Sequence, residues 1–327
     1  MTPRLKRCFT LLVAFATALF GVPSAHAERF SFAAFGDLPY TDIERAELPQ
    51  LITAMRDSEV AFAVHVGDMK HGSTPCDDVT LQDFRDLLAA APFPSVFVPG
   101  NNEWVDCERR SAGAFDPLER LDKLRSLYFA KPESLGATPF SVIRQSDADF
   151  THGAYQEHLR WQRGPVLFLT LNVPGSDNHY GSQREPGAEY RQRMSAVRDW
   201  LDAGFAEAQR KSLPAIVIFM HANPDFEAFA AGNPPRPYAE LLYALRSAVL
   251  GYSGDVLLIH GDTHVMRVDR PLRDTNGETI ERFRRAEVFG SPIPGWLEIT
   301  VDTEAERLVR IRPRPLRDED RAYGPFD

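Results

Sequence analysis

Five apolar stretches in this 327-residue chain each run straight into a short polar cluster. Residues 30–35 lead into Gly36-Asp37, and residues 61–66 lead into Gly67-Asp68. Residues 94–99 lead into Gly100-Asn101-Asn102-Glu103. Residues 215–220 lead into His221, and residues 256–259 lead into His260-Gly261-Asp262-Thr263-His264. An apolar run of this length closed by a turn residue reads as a strand buried on both faces. A carboxylate at the end of such a strand is costly unless it is paired or bound to metal. In open α/β sheets, ligands sit beyond the carboxyl ends of the strands. One Gly-Asp is a weak signal, but five such endings in one chain define a candidate site.

The segments between these strands are helical in pattern. Residues 43–57, capped by Asp42, and residues 78–90 give a β-α-β-α-β start, which predicts a parallel sheet with helices packed on it. Residues 104–163 form a less regular insert, with a helix predicted over 116–128, a strand over 140–144 and a further element over 154–160. A strand over 165–173, a polar mobile loop over 175–187, a long helix over 189–210 and a helix over 238–250 follow. Residues 288–289, 296–301 and 308–311 read as closing antiparallel strands. No second domain is indicated, so residues 28–327 are read as one domain.

Residues 1–27 have the pattern of a secretory signal peptide: basic Arg4, Lys6 and Arg7, an apolar stretch over 11–22, and Ala25-His26-Ala27 before the cleavage point. No later stretch is long enough to span a bilayer. Cleavage removes three basic and no acidic residues, leaving 34 basic against 46 acidic, a net −12. That acidity excludes an electrostatic footprint for nucleic acid, and the basic clusters around Arg282-Arg284-Arg285 and 307–317 read as solvated faces beside acids. A periplasmic or secreted protein is expected. Of three cysteines, Cys8 leaves with the signal peptide, and Cys76 and Cys107 are expected to form a disulfide joining the loops after Asp68 and Asn101.

Asp37, Asp68, Asn101, His221, Asp262 and His264 supply the mixed oxygen and nitrogen donors that a pair of divalent metals takes. With these motifs the chain resembles the calcineurin-like metallophosphoesterases over about residues 30–300. The resemblance implies a four-layer α/β/β/α sandwich, two divalent ions (Mn, Zn, Fe or Mg) and a small phosphorylated substrate, a phosphomonoester or phosphodiester attacked by hydroxide generated at the metals. It assigns Asp68 as the bridging ligand, Asp37 and His264 to one ion, and Asn101, His221 and Asp262 to the other.

Three positions depart from the family pattern. Pro39 stands where a histidine ligand is common, and Asp262 stands for the first histidine of the last motif. Asn102 replaces the histidine that protonates the leaving group, and an amide is no general acid. Purple acid phosphatases, in the same superfamily, use a tyrosine three residues after the bridging Asp. Here that position is His71, a candidate replacement ligand or a surface-loop histidine; Tyr40, three after Asp37, is the other candidate. Glu103, Lys70 and His179 are candidate substitute acids. His65 and His260 read as core or supporting residues, and His152 and His158 as solvated. The competing reading is a non-catalytic exported protein of this fold that binds metal and a phosphorylated ligand or a protein partner. No Gly-x-Ser-x-Gly motif supports a serine hydrolase. Oligomeric state is not legible.

Overall fold

The computed structural model describes residues 28–182, 185–317 and 326. The expected signal peptide lies outside them. Along the chain run β1 (Arg29–Phe35), α1 (Asp42–Asp57), β2 (Ala63–His65), α2 (Asp78–Ala89), β3 (Ser95–Phe97) and α3 (Pro117–Tyr128). Then come β4 (Ile143–Arg144), α4 (Gln145–Ala148), β5 (Leu159–Arg163), β6 (Val166–Thr170), α5 (Ala188–Arg210), β7 (Ala215–Phe219), α6 (Phe226–Ala230) and α7 (Arg236–Gly251). The chain closes with β8 (Asp255–His260), β9 (Arg267–Asp269), β10 (Phe283–Glu287), β11 (Gly295–Asp302) and β12 (Val309–Pro315).

Two sheets result. One has the order β12-β11-β1-β2-β3, the other β4-β5-β6-β7-β8-β10-β9. Within the first, β1, β2 and β3 are parallel and β11 is antiparallel to β1. Within the second, β6, β7, β8 and β10 are parallel. The sheets meet through aromatic rings. Phe32 of β1 stacks on Phe62 at 5.0 Å and meets the edges of Phe168 and Phe219 at 5.3 and 6.1 Å, while Phe62 meets Trp161 at 5.7 Å. Burying such rings is the largest single source of apolar area in a core. The apolar face of α5 (Met194, Val197, Leu201) and of α7 (Leu241, Leu242, Leu245) covers Leu167, Leu169, Ile216 and Ile218 on the outer face of the larger sheet. On the smaller sheet, Phe84 of α2 packs against His65 of β2. The order is therefore helices, sheet, sheet, helices, as expected.

Local sequence explains the element boundaries that matter for the site. Thr41, not Asp42, caps α1, in a capping box with Glu44. Asp77 caps α2, and Asp116 followed by Pro117 starts α3. Each parallel strand stops where its buried backbone meets a polar cluster, so the ends of β1, β2, β3, β7 and β8 open on one edge of the sandwich.

Several expectations are corrected. Arg284 and Arg285 do not lie on a solvated face. They belong to β10, which pairs parallel with β8 rather than as a closing antiparallel strand over 288–289. Arg285 is fully buried because Asp269 and Glu227 neutralise it. His152 and His158 are buried rather than solvated. His152 pairs with Asp199 at 2.7 Å, and His158 Nδ1 meets Gln145 Oε1 at 2.6 Å. The element expected over 154–160 is β5, which starts only at Leu159. The first half of the 175–187 loop is anchored, with Asn178 buried under Arg193, which donates to Asn178 Oδ1 at 2.6 Å and to its carbonyl at 2.7 Å.

Candidate metal centre

At the shared strand edge, ligand-type atoms of Asp37, Asp68 and His221 lie within 4.8 Å of one another, and all three residues are buried. His221 Nε2 stands 3.3 Å from Asp68 Oδ1, 3.1 Å from Asn101 Oδ1 and 3.9 Å from Asp262 Oδ1. On the other side, His264 Nε2 stands 3.6 Å from Asp37 Oδ1. Asp68 lies between the two groups. Its Oδ1 accepts from the Asn102 backbone N–H at 2.9 Å and its Oδ2 from the Tyr40 hydroxyl at 3.0 Å.

Both histidines are set up alike. His221 Nδ1 lies 2.8 Å from the Val66 carbonyl, and His264 Nδ1 lies 2.8 Å from the Ser291 carbonyl. A carbonyl accepts only from N–H, so Nδ1 carries the proton and Nε2 faces the acidic cluster. That is the orientation in which imidazole ligates metal. The backbone is bent to present these groups: φ is +53° at Asp37, +57° at Asp68, +83° at Asp262 and +60° at His264. Left-handed geometry at non-glycine residues costs on the order of 1–3 kcal/mol each and concentrates at functional sites. Close approach also requires glycine. A side-chain carbon on Gly175 would lie 2.3 Å from Asn101 Oδ1 and 2.5 Å from Asp262 Oδ1, and one on Gly261 would lie 2.1 Å from Asp37 Oδ2.

The electrostatics follow from three carboxylates in one cleft, Asp37 and Asp68 buried and Asp262 partly so. Burial raises the Asp37 carboxyl well above its usual range and also raises Asp262. Burial acts upward on Asp68 too, but the His221 imidazolium and the hydrogen bonds to Asp68 hold it below. Burial opposes the charge on His221, yet Asp68, Asp37 and Asp262 together hold its proton well above the usual histidine range. Positive charge at His221 thus offsets part of the carboxylate charge around it. Inward-facing Nε2 atoms, hard carboxylate oxygens and this negative charge fit a divalent ion of the Mn, Zn, Fe or Mg type.

Asn102 is fully engaged: its side-chain N–H groups go to Tyr40 Oη at 3.2 Å and the Lys70 carbonyl at 3.0 Å. His71 is exposed, its Nδ1 held by Ser73 Oγ at 2.7 Å, whereas Tyr40 brings its hydroxyl onto Asp68. Of the candidate acids, Glu103 is fully buried and accepts from the N–H groups of Met69 and Gly100; burial and Asp68 push its carboxyl up to about 7. Lys70 donates to the Thr74 carbonyl at 2.9 Å, and His179 pairs with Glu189 at 2.8 Å. His65 and His260 are buried and held neutral by burial, both lowered to about 3. Cys76 and Cys107 form a disulfide, and both sulfurs lie against the Asn102 carbonyl, at 3.4 and 3.6 Å. The sequence reading overlooked Asp106, whose Oδ2 accepts from Asn101 Nδ2 at 2.8 Å.

The two sheets flanked by helices have the metallophosphoesterase fold. Among solved structures the chain is similar to a dimetal phosphatase from Danio rerio, with a TM-score of 0.53 and 16% identity over 88% of this chain and 96% of that one. It is also similar to a purple acid phosphatase from yellow lupin (Lupinus luteus) seeds, with a TM-score of 0.55 and 13% identity over 92% of this chain. The match spans about half, 54%, of the lupin chain. At these identities the likeness is one of fold. No protein-family model and no curated protein matches the chain.

Proposed function

We propose that this protein is an exported metal-dependent phosphoesterase that hydrolyses small phosphomonoesters or phosphodiesters with two divalent ions. The observation that carries the reading is the convergence of Asp37, Asp68 and His221 within 4.8 Å, with His221 and His264 both turned to present Nε2. The shared fold with two phosphatases supports it. Asp68 would bridge the ions; Asp37 and His264 would hold one, and Asn101, His221 and Asp262 the other. Bound there, the ions supply charge to the phosphoryl oxygens and acidity to the attacking water.

The chain's own residues then set what the site does. Tyr40 and the Asn102 backbone hold the two oxygens of Asp68 in place, and Asp262 is kept in register by the Asn223 N–H at 2.9 Å. Both side-chain N–H groups of Asn102 are already given to protein acceptors, so no proton reaches the leaving oxygen from this position. Substrates whose leaving group departs as a stable anion, such as aryl esters, suit the site best. Export is supported by the leader pattern over 1–27 and by the Cys76–Cys107 disulfide, a bond that persists in oxidising compartments.

The test is to purify the protein, measure bound metal, and assay p-nitrophenyl and bis(p-nitrophenyl) phosphate with Mn, Zn, Fe and Mg. Metal-dependent hydrolysis that disappears in D68N is expected. Fewer than one ion per chain and no hydrolysis depending on Asp68 would favour the other reading, a binding protein for a phosphorylated ligand. The engaged Asn102 amide is the observation on that side.

A further inference from the structure

Two 3-10 turns, Val105–Glu108 and Arg110–Ala112, follow Asn101 directly and place Asp106 and Arg109 beside the cluster. Asp106 is buried, its side chain 5% exposed, whereas the Arg109 side chain is 51% exposed. Asp106 Oδ2 accepts from Asn101 Nδ2 at 2.8 Å. Its Oδ1 accepts from Ser176 Oγ at 2.7 Å and forms an ion pair with Arg109 Nη2 at 2.8 Å. Arg109 Nη2 also reaches Ser176 Oγ at 3.4 Å. A carbon built on Gly72 would lie 2.8 Å from Asn102 Oδ1 and 3.0 Å from Arg109 Nη1, so these atoms face each other across one small gap at the rim of the centre.

We propose that Asp106 is a positioning residue that orients Asn101 with one oxygen and, with the other, fixes Arg109 as the arm that binds the substrate phosphate. The proposal rests on the phosphoesterase reading and adds the residues that recognise the anion. Asn101 can present Oδ1 to His221 and an ion only if its Nδ2 has acceptors on the other side; Asp106 Oδ2 at 2.8 Å is the charged one of the two, beside Asn102 Oδ1 at 3.1 Å. Arg109 has one nitrogen anchored on a buried carboxylate. Its Nε and Nη1 make no hydrogen bond among the described residues, and the side chain is half exposed, with Nη1 on the side of Gly72 and Asn102. A planar guanidinium held from behind gives up little freedom on gripping a phosphate. The other nearby cation, Lys70, is committed to the carbonyls of Thr74 and His71.

The test uses Mn-loaded protein and three readouts: metal per chain, binding of inorganic phosphate by calorimetry, and KM and kcat on p-nitrophenyl phosphate. R109A should keep its metal and lose about 10- to 100-fold in phosphate affinity, the worth of a charge-assisted pair, with a matching rise in KM and a smaller change in kcat. R109K should recover part of the loss. D106N offers a single acceptor oxygen and cannot hold both neighbours, so metal affinity should fall about 10- to 100-fold together with phosphate affinity. Phosphate binding by R109A within twofold of wild type overturns the role of Arg109, and wild-type metal affinity in D106N overturns that of Asp106. If D106N fails to fold, S176A, which removes one anchor of Arg109 from the surface side, reads the same arm; unchanged phosphate affinity there counts against the proposal. If wild type with metal neither binds phosphate nor cleaves either ester, the phosphoesterase reading falls and takes the Arg109 contact with it. The metal titration of D106N still decides the role of Asp106.

Discussion

Asp68 receives three donors in a nearly enclosed space: the Asn102 N–H, the Tyr40 hydroxyl and the His221 ring. Replacing it with asparagine keeps the shape and removes the charge. We expect D68N to bind less than one ion per chain while its thermal unfolding in chelator stays close to that of the wild type; elemental analysis and circular dichroism decide this, and two tightly held ions in D68N would refute it. At Asn102 the prediction runs the other way. N102H restores a proton donor where the amide has none, and turnover on alkyl phosphates should rise by about 10- to 100-fold, at the low end of what general acids contribute. Equal turnover in the two proteins would remove Asn102 as the reason for slow alkyl ester cleavage. These residues were legible because each follows a buried run, where a polar side chain is too costly to be idle. Asp106 was not, since it lies in an irregular turn with no periodicity to mark it. Nor could sequence choose between Tyr40 and His71, because both are three residues past a Gly-Asp and only the path of the chain separates them.

Among the elements, the Asn101–Asn102 loop depends on a covalent tie as well as on hydrogen bonds. The Cys76–Cys107 bridge closes a 31-residue separation, which in the chain-entropy model is worth about 3–4 kcal/mol. The C76S/C107S double variant should lose that much in urea unfolding and bind metal more weakly, because the sulfurs pack on the Asn102 carbonyl. Wild-type metal affinity in the double variant would limit the bridge to a role in stability. The insert makes a separate prediction. His158 is fully buried, and burial lowers it to about 4. A histidine depressed in the fold contributes stability that is full above the unfolded value of about 6.5 and is lost as pH falls towards 4. The difference in unfolding free energy between wild type and H158Q should therefore shift against the wild type by about 1.4 kcal/mol per pH unit across that window. Parallel curves would show that His158 binds its proton equally well in the folded and unfolded states. Sequence missed this burial because His158 takes its partners, Gln145 and Glu157, from the same irregular insert. It missed β10 for a related reason: Phe-Arg-Arg-Ala-Glu reads as exposed until Asp269, Glu227 and Thr263 are seen to satisfy its charges.

For the molecule as a whole, the cleft that collects three carboxylates couples ion binding to folding. Stripping the ions should lower the unfolding temperature, and restoring Mn at a hundredfold excess over its dissociation constant should return about 2.7 kcal/mol; a melting temperature indifferent to chelator would argue against a site in the folded core. A parallel sheet with helices packed on it was readable from the alternation of strands and helices, and the four layers from the family resemblance, whereas the pairing of β1 with β11 was readable from neither. That pairing has a kinetic consequence. Ser31 and Thr300 bond across β1 and β11 although 269 positions separate them. Until β11 emerges, β1 has β2 on one side and an open edge on the other, an apolar ribbon vulnerable to sticking. Asp37 sits just past the end of this strand and is braced from 225 positions away by the Asp262 N–H. Its place in the centre is therefore set only when the last quarter of the chain has arrived, so ion loading is a late event in the life of each new molecule, and nascent chains arrested before β8 should hold no metal.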